Sequence, residues 1–358
     1  MKHAFVLGLV VLLSEPLIVG AEDQESRLGD PVFSMIHDQL ATLGAAKDTQ
    51  AVTVNTWSRS AVASFYLNEY VPPLGVPMQW SGNVATCNAG ATAQAYLDAT
   101  FQIMNFYRGM VGLPAATNAA SYNANAQQAA LMMSANGALS HSPPPSWTCW
   151  TQGGASAAGA SNLALGTAGP SSIVAYIKDY GSGNYFVGHR RWILYPIRNE
   201  FGTGSVGETT TRANSLVVFT NTVTRPPTPD KVAWPPEGYV PYQVVYPRWS
   251  MALNTNSSVS FAAANVTMTE GGSPVSLSVV SRTNNGYGDN TIVWEPTGLS
   301  FSAGMQDRRF TVTVSGISGP QASVSYDVVV IDPAINTDLI FNNGFESGTT
   351  GSWSVTVQ

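Results

Sequence analysis

The sequence predicts an α+β protein in which a helix-rich segment is followed by an all-β segment. Between residues 86 and 222, apolar residues recur several times at helical spacing. After Ser250 the pattern changes to short runs in which apolar and polar residues alternate, as is typical of strands. Charged residues make up 11% of the 358 positions and hydrophobic residues 44%, which is the composition of a folded chain.

The first 21 residues have the features of a secretory signal peptide. An apolar stretch from Ala4 to Ile18 ends in small residues, Val19-Gly20-Ala21, where a signal peptidase would cut. We therefore expect cleavage after Ala21 and a secreted protein, either extracellular or periplasmic. An uncleaved membrane anchor is the alternative, although Glu15 and Pro16 interrupt a stretch that is already short for a membrane span. The mature chain has no further segment that is long and apolar enough to span a membrane.

Cys87 and Cys149 are the only cysteines in the sequence. Because an exported protein meets an oxidising compartment, we expect one disulfide that closes a loop of about 60 residues. Two free buried thiols are the alternative. The net charge of -6, without a basic run, excludes a nucleic acid as the expected partner, and we expect a monomer.

Helical spacing and turn residues divide the chain before residue 222. Residues 22–85 form an N-terminal leader that we expect to pack on the domain at 86–222. Four helices are predicted, from Ser60 to Tyr70, Thr92 to Val111, Asn123 to Ala138 and Ile173 to Tyr180. Two strands are predicted, one ending at Trp192-Ile193-Leu194-Tyr195 and one from Asn214 to Phe219.

The rest of the chain is predicted to form a connector, a β-sandwich and a tail. Seven of the 22 prolines fall in residues 223–249, which favours an extended, stiff connector. Residues 250–333 are expected to form an antiparallel sandwich of about 80 residues, and residues 334–358 a flexible tail. The runs that predict strands are Val259–Phe261, Val266–Met268, Val275–Val279, Thr291–Trp294, Phe310–Val314 and Tyr326–Val330.

Two of the four histidines are the best candidates for a functional site. His141 lies in Leu139-Ser140-His141-Ser142-Pro143, and His189 lies in Gly188-His189-Arg190-Arg191-Trp192. A neutral imidazole is the commonest metal ligand and the usual general base in proteins. Two structural alternatives remain open: His141 could cap the preceding helix, and His189 could be a core histidine that is hydrogen-bonded to Asp179.

Other catalytic and cofactor motifs fail their context tests. Gly202-Thr203-Gly204-Ser205-Val206-Gly207 has the glycine spacing of a dinucleotide-binding loop, but a threonine-rich stretch follows it where a helix is required. The sequence contains no nucleophile elbow, P-loop, zincin or EF-hand pattern.

The order of these pieces resembles the CAP superfamily, which includes cysteine-rich secretory proteins, antigen 5 and plant pathogenesis-related 1 proteins. The resemblance covers residues 86–222 and is strongest at Leu139-Ser140-His141, Ser161-Asn162-Leu163 and Val187-Gly188-His189-Arg190, and bacterial secreted members are the most similar. It implies an α-β-α sandwich with a groove that is lined by two histidines and two acidic residues. The β segment resembles immunoglobulin-like or fibronectin-like modules.

The resemblance assigns site residues one by one. His141 and His189 match the two histidines, Asp179 stands where the family has a glutamate, and Asn162 matches an asparagine. Ser161 replaces the second glutamate, so acid–base chemistry that needs two carboxylates is not expected. The expected metal ligands are His141, His189 and Asp179, a set that would suit Zn²⁺ with an open position. Ser161 and Asn162 complete the expected ligand-binding groove.

These assignments favour a secreted, non-enzymatic protein that binds a divalent metal, a lipid or sterol, or a cell-surface macromolecule. The first alternative is a zinc-dependent hydrolase that uses His141, His189 and Asp179, with Glu200 or Glu208 as a substitute carboxylate. The second alternative is a structural or adhesive envelope protein in which the histidine-bearing domain is a scaffold.

Overall fold

The structure, a computed structural model, describes residues 27–28, 53–207, 211–282 and 286–335. The predicted signal peptide and nearly all of the predicted tail lie outside the described residues. None of the helices in the described ranges has the length and apolarity that a membrane span requires. The helices are α1 Arg59–Phe65, α2 Gln94–Met110, α3 Ala120–Asn136, α4 Gln152–Ala158, α5 Gly169–Lys178 and α6 Gly188–Ile193.

The strands belong to three sheets. The strands of the first sheet are β1 Arg27–Leu28, β2 Thr117–Asn118, β3 Ser161–Leu165, β4 Glu200–Val206 and β5 Ala213–Val217, in the order β1-β3-β5-β4-β2. The strands of the other two sheets are β6 Lys231–Trp234, β7 Gly238–Pro241, β8 Trp249–Leu253, β9 Asn265–Glu270, β10 Ser273–Pro274, β11 Leu277–Ser281, β12 Ile292–Pro296, β13 Arg308–Ser315 and β14 Ser323–Ile331. This mixture of helices and separate sheets confirms the predicted α+β class.

Helices cover both faces of the first sheet. Successive side chains of a strand point to opposite faces. In β3, Leu163 and Leu165 therefore pack with α3 and α4, whereas Ala164 between them packs in the core that contains α2 and α5. The result is the α-β-α layering that the CAP resemblance implies.

The glycines of β4 allow α3 to lie directly on the strand. A Cβ added at Gly204 would lie 2.2 Å from the backbone nitrogen of Gln127, and one at Gly202 would lie 2.3 Å from Cβ of Tyr122. Because neither approach is possible for a larger residue, the glycine pattern is explained by helix–strand packing. This agrees with the sequence analysis, in which the absence of a following helix argued against a dinucleotide-binding loop.

The N-terminal leader contacts both halves of the protein. Its helix α1 begins at a cap in which the Ser58 hydroxyl accepts from the Ala61 amide at 3.3 Å. The turns that continue α1 pack on α2, with the Tyr70 and Phe106 ring centroids 4.9 Å apart. Arg59 instead forms an ion pair with Asp307 of the C-terminal half, at 2.9 Å. The leader was expected to pack on the first domain, and the contact with Asp307 is an addition to that expectation.

Two sheets in the C-terminal half form a sandwich. Their orders are β10-β9-β13-β14-β7 and β11-β12-β8-β6. Trp249 of β8 meets Phe310 of β13 across the interior, with centroids 5.9 Å apart. Neighbouring strands are antiparallel except β14 and β7, which pair in parallel. Strand β7 comes from residues before the segment that was predicted to form the antiparallel sandwich. The run Val259–Phe261 is a loop with a single bridge from Ser260 to Ser318.

The proline-rich segment at 223–249 differs from the expected extended connector. It contributes β6, β7 and the first residue of β8 to the two sheets. Its prolines fit this role, because Pro235 and Pro236 lie between β6 and β7 and Pro241 ends an edge strand, where a missing amide donor costs little. One hydrophobic core consequently runs from α2 and α6 into the sandwich.

Two short helices were not predicted. Trp192-Ile193-Leu194-Tyr195 was expected to end a strand, but residues Gly188–Ile193 form α6. A four-residue apolar run cannot distinguish a buried helix from a strand, and Trp192 is buried between Tyr195 and Phe219. The other helix, α4, lies in a glycine- and alanine-rich stretch whose small residues permit close contact: a Cβ at Gly154 would lie 2.9 Å from Cε of Met132.

The predicted disulfide is confirmed. Cys87 and Cys149, which are 62 positions apart, are bonded to each other. The bond joins the segment before α2 to the loop before α4, and the described part of the chain contains no free cysteine.

Candidate functional site

The chain between α5 and α6 brings Asp179 to the start of the helix that carries His189. Asp179 follows α5 in the left-handed conformation, with φ 51°, and Val187 precedes α6 with φ 50°. Positive φ is uncommon for any residue with a side chain and costly for a β-branched one. Two such residues reverse the chain, so that two side chains ten positions apart come into contact.

The Asp179 carboxylate fixes the orientation of His189. Its Oδ1 lies 2.8 Å from His189 Nδ1, and its Oδ2 accepts from the backbone amides of His189 at 2.9 Å and Arg190 at 3.2 Å. Both side chains are completely buried. Because an ionised carboxylate can only accept, Nδ1 carries the proton, and in the neutral ring the lone pair lies on Nε2.

The Nε2 atom of His189 is buried and has no hydrogen-bond partner among the described residues. A buried polar atom without a partner is costly, and such atoms in a folded protein require an explanation. A histidine with a purely structural role in the core would be expected to have hydrogen-bond partners at both ring nitrogens. The unpartnered nitrogen therefore marks His189 as a candidate ligand residue.

Tyr176 and Asn162 complete the surroundings of His189. The Tyr176 ring stacks on the imidazole with centroids 5.5 Å apart, and its hydroxyl lies 2.9 Å from Oδ1 of Asn214 and 3.1 Å from the carbonyl of Asn162. Burial raises the pKa of the Tyr176 hydroxyl well above its usual value, so this hydroxyl stays a donor. The Asn162 amide donates to the His189 carbonyl at 3.1 Å, while its Oδ1 is also buried without a described partner.

Ser161 has a structural role at the position where the family resemblance places a glutamate. It is completely buried at the start of β3. Its hydroxyl donates to the carbonyl of Ala157 at 2.6 Å and accepts from the Ser215 hydroxyl at 2.9 Å. Both interactions stabilise the packing of α4 against the sheet, and a hydroxyl used in this way supplies no carboxylate chemistry.

His141 lies at the C-terminal end of α4, shortly before β3 begins. It is half-buried, and its Nδ1 donates to the carbonyl of Ala158 at 2.8 Å. Ala158 ends α4, so this bond caps α4, whereas the structural alternative was a cap on the preceding helix α3. Ser161 follows Ala158 by three positions and Asn162 contacts His189. The first residues of β3 thus connect the surroundings of the two histidines.

The predicted metal ligands are not grouped as a three-residue site. Within the ranges that the structure describes, no three His, Cys, Asp or Glu residues are placed to hold a metal ion together. Asp179 lies on Nδ1 of His189, and the two ring nitrogens point in diverging directions, so this carboxylate cannot also ligate an ion at Nε2. We therefore revise its predicted role from ligand to orienting partner.

The two substitute carboxylates give no third ligand either. Glu200 accepts from the Asn221 side chain at 3.2 Å, which is an exposed interaction at the start of β4. Glu208 lies outside the described residues. Metal binding by the two histidines remains a prediction.

Arg190 and Arg191 turn away from His189 and fasten α6 to the sandwich. Arg190 donates to the carbonyl of Arg248 and to the hydroxyl of Ser250, both at 2.9 Å. Arg191 donates to the carbonyl of Asp289 at 3.0 Å. Burial lowers the pKa of the Arg190 guanidinium to about 10, although Asp179 counteracts this effect. The group is still charged at neutral pH.

Comparison with known proteins gives one family match, which covers the region of the candidate site. Residues 101–221 match the family described as CAP: Cysteine-rich secretory protein family. The chain contains a CAP domain. All five predicted groove residues lie within the matched range, whereas the sandwich lies outside it. The search of curated proteins found no match.

Proposed function

We propose that this chain is a secreted CAP-domain protein that binds a divalent metal ion through His189 and His141 and acts by binding rather than by catalysis. The observation that carries the proposal is the buried Nε2 atom of His189, which has no partner among the described residues. Zn²⁺ is the first ion to test, because imidazole nitrogen is one of its preferred ligands.

The contact between Asp179 and His189 supports a metal at Nε2. Histidines that ligate metals usually donate their other ring N–H to a carboxylate or a carbonyl, which fixes the tautomer and makes the ligand more basic. His189 has such a carboxylate at 2.8 Å and His141 such a carbonyl at 2.8 Å. Two protein ligands leave further coordination positions for water or a partner molecule.

The same contacts argue against a hydrolase. A zinc hydrolase needs a third protein ligand and a base near the activated water. Asp179 accepts from three donors, and the Ser161 hydroxyl donates to the Ala157 carbonyl and accepts from the Ser215 hydroxyl. A lipid, a sterol or a surface macromolecule remains the alternative ligand, and a scaffold role for the CAP domain remains the alternative without any ligand.

Metal analysis of the purified mature protein tests the proposal. After dialysis against limiting zinc, wild type should retain near-stoichiometric zinc, and His141→Ala/His189→Ala should lose it. His37→Ala is a matched control, because His37 is the remaining histidine after signal cleavage, and it should retain the metal.

Two results would contradict the proposal in different ways. Equal zinc content in wild type and in the double variant would show that the two histidines do not bind the metal. The search for a ligand would then turn to lipids extracted from the purified protein. Turnover of a peptide, glycan or ester substrate that disappears in His141→Ala would instead contradict the non-enzymatic part.

A further inference from the structure

Arg248 links the β-sandwich to the loop that carries Asp179. It lies directly before β8, and its guanidinium turns toward the CAP domain. Nη1 donates to the carbonyl of Asp179 at 2.7 Å and to that of Gly181 at 2.9 Å. A positively charged donor thus holds the backbone at the point where α5 ends.

The same residue also contacts the other side of the site. The carbonyl of Arg248 accepts from Nη1 of Arg190 at 2.9 Å. Arg190 directly follows His189, and its own amide donates to Asp179. Arg248 is therefore hydrogen-bonded both to Asp179, which contacts the His189 ring, and to Arg190, which follows His189 in the chain.

The Arg248 guanidinium is itself held in place. Glu295 of β12 forms an ion pair with its Nε at 2.9 Å, and the side chain of Arg248 is 15% exposed. A left-handed residue such as Asp179 persists only where its surroundings impose the conformation. The two carbonyl contacts from Arg248 supply part of that constraint, and they come from outside the CAP domain.

We infer that Arg248 is a positioning residue for the His189 site. It holds the Asp179 backbone, and through it the carboxylate that sets the tautomer and ring direction of His189. The sandwich is then a structural part of the site and not a spacer. Only the measurement of zinc affinity depends on the proposed function. The effect of Arg248 on the orientation of His189 can be tested without any metal.

Arg248→Ala in the full mature chain tests the inference, with Arg225→Ala as the matched control. Arg225 also forms a partly buried ion pair at this junction, with Asp289 at 2.7 Å, but none of its described hydrogen bonds goes to the loop at 179–181. The first measurement is the proton resonance of the His189 Nδ1–H, assigned by its loss in His189→Gln.

We expect a slowly exchanging Nδ1–H resonance in wild type and in Arg225→Ala, and its broadening or loss in Arg248→Ala. Arg248→Lys should restore it at least in part, since an ammonium can still donate to the Asp179 carbonyl. Zinc affinity, measured by titration calorimetry, should fall about 10- to 100-fold in Arg248→Ala, as is usual when the partner of a metal-ligating histidine is disturbed.

An unchanged His189 resonance in folded Arg248→Ala would overturn the inference. Loss of the resonance in a protein that binds no zinc in any variant would support the inference and contradict the proposed function. Should Arg248→Ala fail to fold, Arg248→Met keeps the aliphatic stem and takes its place, with the same supporting and contradicting results.

Discussion

The Asp179 carboxylate decides which atom of His189 can meet a ligand. It occupies Nδ1 and accepts two backbone amides, so the ring cannot turn without breaking a buried hydrogen bond to a charged group. Tyr176 stacks on one face of the ring. The remaining nitrogen, Nε2, therefore has a fixed position, which is the property that a binding residue needs.

At this scale we predict that Asp179→Asn destabilises the fold as well as the site. If the amide NH₂ of asparagine faces the backbone amides of His189 and Arg190, both donors are left unpaired in a buried position. If it faces His189 Nδ1, that nitrogen must accept, and the ring proton moves to Nε2. The free energy of unfolding should fall by about 3 kcal/mol, as measured by urea denaturation.

Asp230→Asn is the control for this prediction, because the Asp230 carboxylate is 64% exposed and makes only a long contact with Lys231. Its effect should stay within about 0.5 kcal/mol. Equal effects of the two substitutions would mean that the Asp179 contacts contribute little to stability.

Sequence patterns could select the residues of the candidate site but not their structural contacts. His141, His189, Asp179 and Asn162 were all predicted and all lie around the start of β3. That Asp179 orients His189 depends on two left-handed residues, Asp179 and Val187, and neither is a glycine or an asparagine that would have signalled this conformation. Asn214 and Arg248 gave no sequence signal, because only the fold brings them close to the site.

Strand β4 and helix α3 of the CAP domain pack with their backbones in close contact. Gly202 and Gly204 alternate with residues that face the opposite side of the sheet, so both glycines lie under α3. A Cβ at Gly204 would meet backbone atoms of Ala126 and Gln127 within 2.4 Å. Backbone atoms cannot swing aside as a flexible side chain can.

We therefore predict that Gly204→Ala destabilises the protein by about 3 kcal/mol or more, since α3 must move away from the sheet. Gly75→Ala is the control, because no atom lies within 4 Å of the added Cβ. Both variants are compared with wild type by thermal unfolding, in which Gly75→Ala should be neutral or slightly stabilising. A Gly204→Ala protein as stable as wild type would show that α3 moves without cost.

Elements were predictable where their periodicity was long. The predicted helix from Thr92 to Val111 corresponds to α2, Gln94–Met110. The six residues of α6 and the seven of α4 are too few to establish a helical period, and their tertiary contacts decide the conformation. The strands β6 and β7 were hidden by prolines that actually occupy turns and a sheet edge.

Over the whole molecule, the CAP domain and the sandwich share one hydrophobic core. Tyr107 of α2 packs against Trp234 of β6, with centroids 4.9 Å apart, and its hydroxyl lies 2.7 Å from that of Tyr246. Contacts of this kind are typical of a domain interior and not of a flexible junction. The sequence could not reveal this continuity, because it depends on how the proline-rich segment folds back.

We predict a single cooperative unfolding transition for the mature chain in scanning calorimetry. Phe310→Ala, which removes a completely buried ring from the sandwich, should lower the stability by about 3–5 kcal/mol and shift the whole transition. Leu67→Ala, at a side chain that is 47% exposed, should shift it much less. Two separated transitions, with only the second moved by Phe310→Ala, would contradict a shared core.

Three consecutive residues of α6 face two different neighbours within a single helical turn. His189 faces Asp179, whereas Arg190 and Arg191 face the sandwich. Each residue inserted into a helix rotates the side chains that follow it by about 100°. A one-residue insertion or deletion between His189 and Arg190 would thus misdirect both arginines while leaving His189 in place. The length of this turn is therefore constrained both by the contact of His189 with Asp179 and by the contacts of the two arginines with the sandwich.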